Sequence, residues 1–136
     1  MSRHINRLHV FFKWLAWFRN GAAAACRTPA EWNVSHLAGA RRVEPGASAA
    51  AAVGKLSKDA PIVAYCAVGY RSGEMAKRLR AAGFTQVQNL EGSIFKWANE
   101  HRPLVHEGEP TTRVHPYNAI RGHLLSDDVR APLPSD

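Results

Sequence analysis

Apolar residues recur along this chain in two periods, and the changes between them mark out the elements. Leu8, Phe11, Phe12, Leu15 and Phe18 fall on one face of a helix, and Gly21 follows as its stop signal. The run Ala22-Ala23-Ala24-Ala25-Cys26 predicts a short buried strand, although alanine is a poor strand former. Thr28-Pro29-Ala30-Glu31-Trp32 joins a threonine cap, a proline at the first helical position and a glutamate three residues beyond the cap, which is a capping box opening a short helix. A turn after His36 leads to a strand at Val43, and residues 47–56 read as an alanine-rich helix. Pro61 opens Ile62-Val63-Ala64-Tyr65, which is uniformly apolar instead of alternating. That is the pattern of a parallel strand covered on both faces, so this strand belongs in the middle of a sheet. Met75, Ala76, Leu79 and Ala82 repeat at helical spacing over residues 72–82, with Gly83 as the stop. A strand around residues 87–90 and a helix over residues 93–100, with Ile94, Trp97 and Ala98 inward, complete the alternation. Strands alternating with helices predict an α/β layer fold with a mostly parallel sheet. From Glu107 the periodicity fades, and the pattern predicts an extended tail over residues 107–136, wrapped on the surface or partly disordered.

With 136 residues and 46% hydrophobic content, the chain has material for one globular core. Its net charge of +7 favours anionic small molecules or weak attraction to polyanions. No specific nucleic-acid partner is expected, because the basic residues stand singly or in pairs such as Arg41-Arg42 without interleaved aromatics. Cys26 and Cys66 make no disulfide framework, and the seven histidines show no metal-ligand spacing, so neither a metal nor a cofactor is expected. The cysteine usage suits a reducing compartment, the cytoplasm, with the periplasm as the alternative. Residues 1–20 admit two readings. A basic start, an apolar run and the alanines before Cys26 imitate a lipoprotein signal, but Lys13 interrupts the run and cleavage would remove a strand. The run also falls short of the ~20 apolar residues needed to cross a bilayer, so the favoured reading is an amphipathic helix packed on the body and no transmembrane segment.

The chemistry concentrates at Cys66-Ala67-Val68-Gly69-Tyr70-Arg71-Ser72, directly after the central strand. A strand that stops at a cysteine, passes a glycine-containing loop and enters a helix aims backbone N–H groups at one point. A thiol in that position beside a cation ionises more easily than a free one. Gly69 lets the loop turn its amides inward, Arg71 supplies positive charge, and Ser72 is placed to cap the helix and donate a hydrogen bond. The competing reading of Cys66 is an inert core thiol at a strand end. No histidine or aspartate stands at motif spacing to act as a base, so the loop itself must ionise the sulfur. Two chemistries use such a loop, attack on phosphorus through a C-x5-R turn and sulfur transfer through a persulfide. Four residues separate Cys66 from Arg71, and the tighter turn suits a single outer sulfur atom better than a phosphoryl group.

Over residues 12–105 the chain resembles the rhodanese-like sulfurtransferase domains. The likeness rests on Arg27 to Trp32, on His36-Leu37-Ala38-Gly39-Ala40, on the strand and loop around Cys66, on Ala82-Gly83-Phe84 with Val87, and on Leu90-Glu91-Gly92 with Trp97. It implies about five mostly parallel strands with helices on both faces, a domain over residues 21–106, Cys66 and Arg71 as catalytic residues, and Ala67, Val68, Gly69, Tyr70 and Ser72 as the substrate cradle. It also implies that Arg27 orders the site through Glu91. The implied partners are a small-molecule or protein sulfur donor, thiosulfate or a persulfide, and an acceptor, a thiol or cyanide. Ala25 and Ala67 stand where the family usually has Asp and often Arg. Those departures leave open a catalytically weak binding or regulatory module, and make thiosulfate a poorer donor than a persulfide. Trp14, Trp17, Trp32 and Trp97 read as packing residues, His36 as a structural histidine, and Cys26 as a small buried thiol with a resolving role as the alternative.

Overall fold

The computed structural model describes residues 21–133. Strands β1 (Ala22–Cys26), β2 (Arg41–Val43), β3 (Ile62–Tyr65) and β4 (Val87–Asn89) form one parallel sheet in the order β2-β1-β3-β4. The uninterrupted apolar sequence of β3 thus lies between two neighbours, as its pattern requires. Helices α1 (Pro29–Val34), α2 (Ala49–Val53), α3 (Tyr70–Ala81) and α4 (Ser93–Asn99) alternate with the strands. Among the described residues the parallel sheet has four strands where the resemblance implied about five. The next two strands, β5 (Leu104–His106) and β6 (Glu109–Thr111), pair antiparallel in a separate hairpin.

Side-chain alternation along the strands divides the core into two layers. Ala24, Cys26, Ile62 and Cys66 pack with Ala52 and Val53 of α2 and Met75, Ala76 and Leu79 of α3. Ala23, Ala25, Val63 and Tyr65 pack with Ile94, Phe95, Trp97 and Ala98 of α4 and with Trp32 of α1. Every residue of β1 is at most 5% exposed, and pairing on both edges overrides the weak strand preference of alanine. Gly21 is required at the start of β1 for a steric reason. A Cβ there would lie 1.8 Å from the Pro61 carbonyl oxygen, so only glycine lets β1 enter the sheet where Ala22 N–H donates to that oxygen.

The capping box forms as predicted, with Glu31 N–H donating to Thr28 Oγ1 at 3.3 Å and Thr28 N–H to Glu31 Oε1 at 3.0 Å. The helix predicted over residues 47–56 is shorter because Ser48 Oγ caps it by accepting from Ala51 N–H and Gly54 ends it. Residues 107–133, predicted to run as an extended tail, carry the short helix α5 (Ala119–Gly122) and a parallel bridge between Val114 and Arg130. Val114, Leu125 and Val129 from this segment enter the core on the α4 side. The amphipathic helix read over residues 1–20, with Trp14 and Trp17, lies outside the described residues.

Candidate active site

Cys66 leaves the C-terminal end of β3, and its loop is clamped at once by the start of α4. Cys66 N–H donates to Ser93 Oγ at 3.1 Å, while the carbonyls of Cys66 and Ala67 accept from the Ile94 and Phe95 amides at 3.2 and 3.1 Å. Gly69, at φ +117°, turns the chain so that its N–H donates to Cys66 Sγ at 3.1 Å. Gly69, not Ser72, is the N-cap of α3, which begins at Tyr70. Ser72 sits instead in the first turn, facing inward, with Oγ 3.4 Å from Sγ and 2.7 Å from Asn89 Oδ1. A hydroxyl has one proton, and the shorter contact shows Asn89 competing for it, which leaves the Gly69 amide as the closer donor to sulfur. Asn89 Nδ2 in turn donates to the Gly69 carbonyl at 3.0 Å and holds the loop in this shape.

Burial pushes the Cys66 thiol up, but the side-chain and main-chain donors of Ser72, the Gly69 amide and the charge of Arg71 outweigh it and hold the thiol below its ordinary range. The residue is only 1% exposed, yet it forms part of the wall of a pocket of about 40 Å³, shared with Ala67, Val68, Tyr70, Arg71, Tyr117 and Arg121. That volume admits a few water-sized groups. Of the sequence-predicted cradle, Gly69 and Ser72 act on the sulfur from beneath, whereas Tyr70 is 72% exposed at the rim.

Arg71 does not point freely at the sulfur. Its Nη1 and Nη2 donate to Glu31 Oε1 and Oε2 at 2.7 and 2.9 Å, a bidentate pair. Arg27 Nη1 also donates to Glu31 Oε2, so one carboxylate joins two guanidiniums. Glu31 is 2% exposed; burial would raise its pKa, but the Arg71 hydrogen bonds, the Arg27 charge and the Thr28 amide take it down to about 2. The partner expected for Arg27 is therefore corrected. Glu91 is exposed and lies 3.6 Å from Lys96, whereas Glu31 stands one helical turn beyond Arg27 and is turned inward by its capping box.

Sequence reasoning treated Glu31 only as a cap and missed Asn89, Ser93, Tyr117 and Arg121. The i,i+4 spacing of Arg27 and Glu31 is a signal that points to Glu31; nothing local marks the other four as neighbours of Cys66. Tyr117 lies over Arg71, with the guanidinium 4.7 Å from its ring centre, and His115 accepts Arg27 Nη2 at its carbonyl at 3.4 Å. His36 is structural, stacked on Trp32 with ring centres 3.6 Å apart. Among the described residues no three His, Cys, Asp or Glu side chains group to hold a metal ion, and no helix is long and apolar enough to cross a membrane.

The rhodanese-like domain family model matches residues 20–100. The chain is 33% identical over 91 residues to a probable adenylyltransferase/sulfurtransferase, MoeZ, of Mycobacterium tuberculosis, an alignment covering 66% of this chain and 23% of that protein. It is 37% identical over 51 residues to a sulfurtransferase of Allochromatium vinosum, covering 38% of this chain and 48% of that one. The chain thus spans about a quarter of the mycobacterial relative and about half of the other. In fold it is similar to the BH2092 protein of Bacillus halodurans, with a TM-score of 0.70 at 17% identity over 90% of this chain and 88% of that one. Together with the parallel sheet and the loop that turns an amide onto Cys66, the match over residues 20–100 shows that this chain belongs to the rhodanese-like domain family.

Proposed function

We propose that the chain is a sulfurtransferase that carries a sulfane sulfur on Cys66. The observation that carries this reading is a main-chain donor 3.1 Å from the sulfur of a nearly buried cysteine that is nonetheless held below the ordinary thiol range. With thiosulfate as donor, the Cys66 thiolate attacks the outer sulfur, a new S–S bond forms at Sγ, and the old S–S bond breaks with its electron pair leaving on sulfite. The product is a Cys66 persulfide anion. An acceptor thiolate then attacks the outer sulfur, takes it as its own persulfide, and the Cys66 thiolate leaves with the electron pair. Charge is conserved in both steps, and no cofactor is required.

The loop suits this sequence of states because sulfur is anionic at each end of it. Gly69 N–H and Ser72 face the atom that begins and finishes as a thiolate, and fixed donors cost no reorganisation during the reaction. Arg71 contributes as a charge while its guanidinium is engaged by Glu31. Mass spectrometry after exposure to thiosulfate and, separately, to glutathione persulfide is the test. A gain of one sulfur atom confined to Cys66 and removed by a thiol supports the reading; no gain from either donor sinks it.

A further inference from the structure

The mouth of the Cys66 pocket is completed by residues from far along the chain. Tyr117 and Arg121 line it together with the loop residues Cys66, Ala67 and Val68. Their segment is built, not draped. Asn118 caps α5 by accepting from Arg121 N–H at 2.7 Å, and Arg130 fastens the other end, with Nε donating to the Gly122 carbonyl at 2.6 Å and Nη1 to Asp127 at 2.7 Å. Tyr117 is held at φ +70°, its N–H donating to His115 Nδ1 at 2.9 Å. A non-glycine residue in that region is strained, and surrounding contacts must hold it there. Its ring then lies beside two guanidiniums, 4.7 Å from Arg71 and 5.4 Å from Arg121.

These two cations are not equivalent. Both terminal nitrogens of Arg71 are engaged by Glu31. Ala67, next to the nucleophile, brings no charge. Arg121 is half-buried, and among the described residues it has no carboxylate partner, only the Tyr117 ring. A guanidinium whose donors no acid engages, on the wall of a pocket that contains a nucleophilic sulfur, is suited to a planar or tetrahedral oxyanion.

We propose that Arg121 is the specificity-determining cation of this site, holding the anionic group of the sulfur donor, a sulfonate or a carboxylate, while Cys66 attacks the donor's sulfane sulfur. Tyr117 is the positioning residue that keeps the guanidinium at the mouth. The proposal rests on the sulfur-transfer reading, and its test has an arm that does not.

In the full chain, Cys66 alkylation by iodoacetate, an anion, is compared with alkylation by neutral iodoacetamide. Arg121→Gln should lower the iodoacetate-to-iodoacetamide rate ratio about tenfold at low salt while leaving the iodoacetamide rate unchanged, which also shows that the variant is folded. Arg121→Lys should keep much of the ratio, and high salt should compress it in the unsubstituted chain. In the second arm, KM for sulfur loading should rise about tenfold in Arg121→Gln with kcat little changed. A rise with thiosulfate alone identifies the sulfonate as the group held, and a rise with glutathione persulfide alone identifies a carboxylate. An unchanged alkylation ratio together with unchanged KM overturns the role of Arg121. A reduced ratio in a chain that takes up no sulfur from either donor overturns the sulfur-transfer reading and leaves Arg121 as an anion-holding residue.

Discussion

The ends of β1 and β3 make a controlled comparison. The strands are neighbours, paired up to Ala25 opposite Tyr65, and the next residue of each is a cysteine facing the same core layer. Both cysteines are free and both are buried, Cys26 at 0% and Cys66 at 1% exposed. Yet burial pushes the Cys26 thiol up to about 12, helped by the neighbouring Cys66, while Cys66 falls below its ordinary value. The difference is not depth. After Cys66 the chain turns back at Gly69 and directs a main-chain donor and the Ser72 hydroxyl onto the sulfur, whereas after Cys26 it proceeds to Arg27 and the cap of α1. A buried cysteine becomes a nucleophile through the donors that surround it, and burial alone makes it inert.

The sharpest way to break the comparison is to exchange serine for each cysteine. Cys66→Ser should abolish sulfur loading, a loss of at least ~1000-fold, because the hydroxyl is not ionised by the same donors. Cys26→Ser should leave loading within about twofold, since a thiol held near 12 is not a thiolate at neutral pH. Loss of loading in Cys26→Ser with an unchanged melting transition would make Cys26 a partner in the chemistry.

Next in size is Glu31. Glu31→Ala leaves Arg27 buried without its carboxylate and should cost about 3–5 kcal/mol in denaturant unfolding. The same group sets an acid limit. Its folded pKa, about 2, lies below the ordinary 4.5, so its contribution is present above the ordinary value and is lost as pH falls from about 4.5 towards 2. A stability profile of the unsubstituted chain should slope through that window, and Glu31→Gln should flatten it.

Smaller effects test the donors themselves. Ser72→Ala should slow iodoacetamide alkylation of Cys66 at neutral pH about tenfold and move the alkylation midpoint upward, towards that of an ordinary thiol. An unmoved midpoint would assign the effect to the main-chain donors of Ser72 and Gly69 and to the Arg71 charge. Gly69→Ala should cost about 1–3 kcal/mol, since a side chain is strained at φ +117° although the nearest atoms, on Asn89 and Ser93, are at ordinary contact distance.

Legibility followed the range of the interactions. The capping box at Thr28, the central strand and the amphipathic face of α3 arise from residues within a few positions of one another, and each formed close to where its pattern placed it. Helix α3 started earlier than its apolar spacing predicted because its first two residues, Tyr70 and Arg71, line the Cys66 pocket and add nothing to the core. The partner of Arg27 was misassigned from family likeness although the better candidate stood four residues away. The segment after Glu107 was unreadable because its core residues Val114, Leu125 and Val129 enter singly, with no period to announce them.

By itself, the sequence determined that a cysteine would end a central parallel strand and meet a glycine turn and a helix start, since strand pairing, backbone sterics and capping are local consequences of residue type. Tertiary structure decided what surrounds that sulfur. Asn89 and Ser93 set the shape of the loop, Glu31 engages Arg71, and Tyr117 and Arg121 line the pocket, and all five stand at least 17 residues along the chain from the segment between Cys66 and Ser72. Electrostatics acts through space, so the chemistry of Cys66 depends on neighbours that chain order does not reveal.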